Sequence, residues 1–150
     1  MIKYVTFGIA ISFISWIVGM ICNSMLIQTK YYEKLSNLNF ITSKSLNTYI
    51  GLNYFKWIVK NTPFRFFNQK IRLQNKKAEL TEIRKEMTIA EVSHLIGFIF
   101  VTSIALYKGF SDNYLFAILI SLVNIPMNLY PALLQQENKR RIDRFRKRIE

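Results

Sequence analysis

From Tyr4 to Ile27 the chain reads YVTFGIAISFISWIVGMICNSMLI, without one charged side chain. About 20 apolar residues carry a helix across a hydrocarbon core of about 30 Å, so this run is long enough to span a membrane. Inside a bilayer the backbone polar groups must be satisfied within the segment, which leaves the α-helix as the form for a single apolar run. A cleaved signal peptide is the rival. The run is longer than a signal's apolar region, no Ala-x-Ala-like site follows it, and Ile21 precedes Cys22 where a lipoprotein signal needs a small residue. The reading is an uncleaved span over residues 4–27.

Two more runs share this character. Ile89 to Tyr107 reads IAEVSHLIGFIFVTSIALY, and Tyr114 to Leu134 reads YLFAILISLVNIPMNLYPALL. The short turn Lys108–Asn113 between them predicts a helical hairpin. The expected fold is an all-α integral membrane protein with about three transmembrane helices, 4–27, 89–107 and 114–134, forming a single membrane domain over 1–150. Cys22 is the sole cysteine, so no intrachain disulfide forms.

The chain is 51% hydrophobic yet carries a formal net charge of +12, and the two properties are segregated. Residues 28–91 hold twelve Lys or Arg against five acids, and residues 135–150 hold seven against three. Lys3 and Lys108 are the only basic residues elsewhere. Three spans put both basic segments on one side, and the positive-inside rule makes that side cytoplasmic, with the N-terminus out and the C-terminus in. This placement in the cell membrane, multi-pass, explains the basic balance without nucleic acid. The KRRIDRFRKR tail alone is a weak signal for RNA.

The basic cytoplasmic or interfacial segment, 28–88, has no evident core of its own. Leu46 to Val59 carries Tyr49, Tyr54, Phe55 and Trp57, and Pro63–Phe67 sets an arginine among three phenylalanines. Both compositions suit amphipathic helices in the headgroup layer. Gln69 to Met87 lacks Gly and Pro and predicts a helix along the surface or continuous with the second span. Its basic residues are solvated, or hold anionic lipid at about 1 kcal/mol each. The tail 135–150 is a second basic cytoplasmic segment.

Chemistry points to the start of the second span. Ionisable groups at membrane depth cost about 2.5–3.5 kcal/mol on insertion scales. Glu91 and His94, the only histidine, stand there at i, i+3. On a helix His94 lies about 80° from Glu86, and Glu91 about 140° from it, within one broad face. A carboxylate beside an imidazole is the minimum for a histidine base that activates a hydroxyl. The structural alternative is that Thr88-Ile89-Ala90-Glu91 is a capping box and His94 an interfacial residue bonded to a carbonyl. Glu-x-x-His is also half of a di-metal motif, but the second half is missing, so no metal is expected. In the third span Asn124, Pro126, Asn128 and Pro131 predict a kink, and a polar face opposite His94.

At these residues the chain resembles the glycosyl-4,4'-diaponeurosporenoate acyltransferase family, small membrane enzymes of staphyloxanthin-type carotenoid synthesis. The family's Glu-Thr-x-x-Ala-Glu-x-x-His is matched by Glu86 to His94, with Met87 in place of threonine. Its Lys-x-x-Pro is similar to Lys60–Pro63. Its Asn-x-x-Pro and Gln-Arg-x-Asn-Arg-x-Arg resemble Asn128–Pro131 and Gln135–Arg141, with Gln136 and Lys139 where the family has arginine. The resemblance covers residues 1–145, the first span in character only.

It implies transfer of a fatty acyl group to a sugar hydroxyl of a membrane glycolipid, with no cofactor. His94 is then the base, Glu91 its orienting partner, and Glu86 an auxiliary at the cytoplasmic surface. Lys60, Arg140 and Arg141 would neutralise an anionic donor, acyl-CoA or acyl carrier protein, and Asn128 is the candidate donor to the carbonyl oxygen. The alternative class is a non-enzymatic membrane protein, or accessory subunit, that holds anionic lipid or a partner protein.

Overall fold

The computed structural model describes residues 1–41, 44–62, 77–111 and 113–149. Pro63–Phe67 and the first part of the expected 69–87 helix lie outside the described residues. Among the described residues the chain is helical, with no strand. The helices are α1 (Ile2–Leu26), α2 (Tyr32–Ser36), α3 (Lys44–Tyr49), α4 (Leu52–Asn61), α5 (Lys77–Ser111), α6 (Tyr114–Asn124) and α7 (Tyr130–Ile149), with a π-helical turn at Ile125–Leu129 joining the last two.

Three helical stretches are long and apolar enough to cross a membrane: α1, the Leu80–Ser111 part of α5, and the continuous rod from Tyr114 to Arg148. α1 matches the expected first span. The other two run further than their apolar sequences. α5 has 35 residues and so measures about 52 Å, well beyond a hydrocarbon core of about 30 Å. The second span and the segment before it are therefore one helix. The basic tail is likewise the outer part of a rod and not a separate tail.

The two projecting ends pack on each other. Leu80 and Met87 of α5 close around Ile142 of α7, with Ile83 and Phe145 against them. The basic segments thus have a small core of their own, which their sequences hid because half of it comes from each segment. Arg84 straps the outside, donating from Nε and Nη2 to the two carboxylate oxygens of Asp143 at 2.7 and 3.3 Å.

α1 lies in the groove of the α5–α6 hairpin. Its buried stripe is Gly8, Ser12, Ser15, Gly19 and Asn23, at steps of three and four residues, so one face is small and polar. Without a hydrophobic drive between helices in lipid, small residues that let backbones approach are the natural interface. The approach is closest at Gly19, where a Cβ would sit 2.2 Å from the Ser93 carbonyl oxygen. The opposite face, Ile9, Phe13, Ile17, Met20 and Ile21, is exposed and apolar, as a lipid-facing surface is. Tyr4 stacks on Phe116 at 4.3 Å near one end of the bundle, and Asn23 bonds the Ile89 carbonyl at 2.9 Å near the other. Both basic segments therefore share one end, and Lys3 and Lys108 the opposite one.

α3 and α4 dock on α7 at the basic end. Gly51 separates them with φ 76°, the left-handed region glycine favours. Tyr130 donates to the Ile50 carbonyl at 2.6 Å, Phe55 meets the Tyr130 ring edge-on, and Lys56 pairs with Glu137. α4 has 10 residues, about 15 Å, too short to cross a membrane. Its outer face carries Tyr54 stacked on Trp57.

Candidate functional site

The polar groups of the bundle form two clusters, one where α1, α5 and the π-turn meet and one between α5, α7 and α2. The inner one is built on asparagine. Asn124 donates to the Phe98 carbonyl at 3.0 Å and Thr102 Oγ1 at 3.1 Å, and its own Oδ1 accepts from Asn128 at 2.8 Å. Asn128 also donates to Ser15 Oγ at 3.1 Å. A Cβ on Gly97 would stand 2.9 Å from Asn128 Oδ1, so only glycine leaves room for this contact.

Two prolines explain the π-turn. Pro126 and Pro131 lack the amide hydrogens that an α-helix would use here, and the chain widens to an i+5 bond from Tyr130 N–H to the Ile125 carbonyl. Pro131 has no hydrogen to return to the Met127 carbonyl, four residues back. Trp16 Nε1 donates to that carbonyl instead, at 3.2 Å. The indole is held in place by this bond, and it presents its ring to His94, centroids 6.0 Å apart and planes at 87°. Asn128 stands beside the imidazole, and His94 Nδ1 is buried without a hydrogen bond of ordinary geometry. The expected polar face of the third span is thus opposite His94, as the short turn implied.

Glu91 belongs to the second cluster and points away from His94. Its carboxylate accepts from Gln136 Nε2 at 2.8 Å and pairs with Lys139, and no bond links it to the imidazole. The expected Glu91–His94 partnership is not formed, because α7 offers an ammonium and an amide, both buried, on the other side of α5. Nor is Glu91 a cap. Residue 88 lies inside α5, and the Thr88 hydroxyl donates back to the Arg84 carbonyl at 3.1 Å, which removes the capping box.

The same α7 residues reach the connection after α2. Lys139 donates to the Ser36 carbonyl at 2.8 Å, and Gln136 Oε1 accepts from the Phe40 amide at 3.0 Å. Arg140 is engaged with Asn39, so it belongs to this strap. Tyr32 of α2 completes the cluster: its hydroxyl is buried near Asn23 and Glu91 without a hydrogen bond of ordinary geometry. Burial pushes its phenol above the usual range, an Asn23 contact opposes the shift, and the Glu91 charge adds to it.

The remaining expected residues are not gathered here. Glu86 is exposed, as are Lys60 at the end of α4 and Arg141 on α7. Asn128 is in place beside His94, but both hydrogens of its amide are already given to Ser15 and Asn124. The residues missed are Trp16, Asn23, Tyr32, Gln136 and Lys139. The stripe of α1 was readable as Gly, Ser, Ser, Gly and Asn at helical spacing. Gln136 and Lys139 were visible only as departures from a family pattern.

A bundle of three membrane-length helices, with a polar asparagine core and a buried imidazole beside it, defines a small helical membrane protein with one candidate reactive side chain. The chain belongs to the glycosyl-4,4'-diaponeurosporenoate acyltransferase family, whose model matches residues 28–148. The match takes in α2 to α7 and begins after α1. No curated protein and no solved structure matches the chain.

Proposed function

We propose that the protein is a membrane O-acyltransferase that moves a fatty acyl group from an activated thioester to a sugar hydroxyl of a glycosylated lipid, a carotenoid glycoside in the family's own chemistry. Membership of the family supports the reaction class. The observation that carries the site is His94: a buried ring nitrogen beside Asn128, held in no hydrogen bond of ordinary geometry, is available for a proton.

The imidazole takes the proton of the sugar hydroxyl as its oxygen attacks the thioester carbonyl carbon. The tetrahedral intermediate collapses, the carbon–sulfur bond breaks, and the thiolate leaves with the proton that His94 returns. An ester and a free thiol result, with no change in oxidation state. General base catalysis of this kind is worth about 10²–10⁴ in rate. Trp16 and Asn128 act as positioning residues that hold the imidazole's surroundings. Glu91 serves the fold of the basic end, through Lys139 and Gln136, in place of the orienting role expected for it. The positive-inside rule puts that end, and donor entry, in the cytoplasm.

The test is acylation of a membrane glycolipid by the full chain in lipid nanodiscs, comparing wild type with His94→Ala and Glu91→Gln. Loss of at least about a hundredfold in the His94 variant with a folded chain is expected. Full activity of His94→Ala would sink the mechanism, and an unchanged glycolipid profile in cells lacking the protein would favour the non-enzymatic reading.

A further inference from the structure

The outer end of the bundle holds a solvent-open groove of about 670 Å³ between α2, α5 and α7. Arg84 forms its back wall. Its guanidinium is tied to Asp143, to Ser36 Oγ at 3.1 Å and to Asn37 Oδ1 at 3.1 Å, so the wall is rigid and the Asp143 charge is matched. Arg146 and Lys147 line the same groove, and neither has an ion-pair partner among the described residues. Glu33 is the one carboxylate on the lining outside the Arg84 pair. Among the described residues two cations without an ion pair thus outweigh one acid, beside a guanidinium already fixed in place by Asp143, Ser36 and Asn37.

We propose that this groove binds the phosphate of the acyl donor, the phosphoester at the head of a pantetheine arm. The proposal rests on the acyl-transfer reading and deepens it. The cations first considered for the donor are otherwise occupied or scattered: Arg140 is engaged with Asn39, while Lys60 on α4 and Arg141 on α7 stand exposed. Every side chain lining the groove is polar or charged, so it offers nothing to a lipid tail. It also lies at a fitting height. Arg84 precedes His94 by ten residues on one helix, about 15 Å along the axis. A phosphate held at the water end and a thioester beside His94 need an arm of about that reach, which pantetheine supplies.

The full chain in zwitterionic nanodiscs is assayed with palmitoyl-coenzyme A and with palmitoyl-N-acetylcysteamine, which carries the same thioester and no phosphate. Arg146→Gln with Lys147→Gln raises KM for the coenzyme A donor about tenfold or more. It leaves kcat, and the KM of the short donor, unchanged. Arg146→Lys with Lys147→Arg restores the low KM. Equal effects on both donors, or none on either, would overturn the site. Binding is read separately, by calorimetry with unacylated coenzyme A. It is expected in wild type and in His94→Ala, lost in the double glutamine variant, and weakened by salt because the lining is open to water. Retention of coenzyme A binding in the glutamine variant, or binding of phosphatidylglycerol vesicles through these residues without coenzyme A binding, overturns the proposal. Coenzyme A binding without transfer in wild type would instead count against the acyltransferase reading alone.

Discussion

Glu91 and Lys139 form an ion pair with side chains 0% and 4% exposed, joining α5 to α7 at the depth where the polar end of the bundle meets its apolar body. The pair is secured by Gln136 on the carboxylate and by the Ser36 carbonyl on the ammonium. Buried pairs of this kind add little net stability over a well-packed apolar pair, but removing one partner strands a charge and costs about 3–5 kcal/mol.

Lys139→Met is therefore expected to destabilise the fold strongly, by about 3–5 kcal/mol, since it leaves a buried carboxylate. Adding Glu91→Gln should recover most of that loss, because no charge then remains. Thermal unfolding of the single and double variants in detergent measures the coupling. Additive losses would mean that the two groups do not meet.

Gly19 faces the Ser93 backbone so closely that an added methyl has no place to go. Gly19→Ala should cost about 1–3 kcal/mol through forced separation of α1 from α5. Gly8→Ala, whose Cβ would meet Val123 Cβ at 3.3 Å, tight but without overlap, should cost less. Equal melting temperatures for the two variants would contradict the packing.

Asn124 and Asn128 share a hydrogen bond but differ in what else they touch. Interhelical polar contacts in membranes average about 0.6 kcal/mol each. Asn124→Ala should lose about that much per bond and keep its activity once folded. Asn128→Ala should lose similar stability and also turnover, because it stands beside His94. Glycolipid acylation, normalised to folded protein, separates the two.

Tyr32 carries a buried hydroxyl whose phenol is held above its ordinary range, mainly by burial. Its proton stays on in the fold, so any stability tied to this group is complete below pH about 10 and is lost as pH rises past the free value. Tyr32→Phe should be nearly neutral at pH 7. Above pH 10 it should lose stability more slowly than wild type. Parallel unfolding curves over that range would show that the phenol does not titrate as described.

How much was readable in advance depends on where each signal lives. The uncharged run of 4–27, the turn at Lys108–Asn113 and the confinement of basic residues to two segments are local properties, and each leads to the three spans and the shared basic end. His94 could be found because a titratable group in an apolar run stands out against its neighbours. The prolines of the third span forecast a break, since a missing amide hydrogen is a property of the residue itself.

Partners could not be read this way. Glu91 and His94 are neighbours on one helix, and adjacency suggested a dyad. Yet each side chain is claimed by a different helix: His94 by the Trp16 ring, and Glu91 by Gln136 and Lys139, forty-odd residues on. Which neighbour captures a carboxylate is decided by the rotation and height of α7 against α5, and those follow from packing such as Ile142 between Leu80 and Met87. The sequence alone determined that this chain holds three runs long and apolar enough to cross a membrane, with a histidine near the edge of one. Only the tertiary structure decided that the histidine sits between Trp16 and Asn128 while the glutamate is neutralised by Lys139. The physical reason is that charges and hydrogen bonds at membrane depth are paired by geometry in space, where distance along the chain counts for nothing.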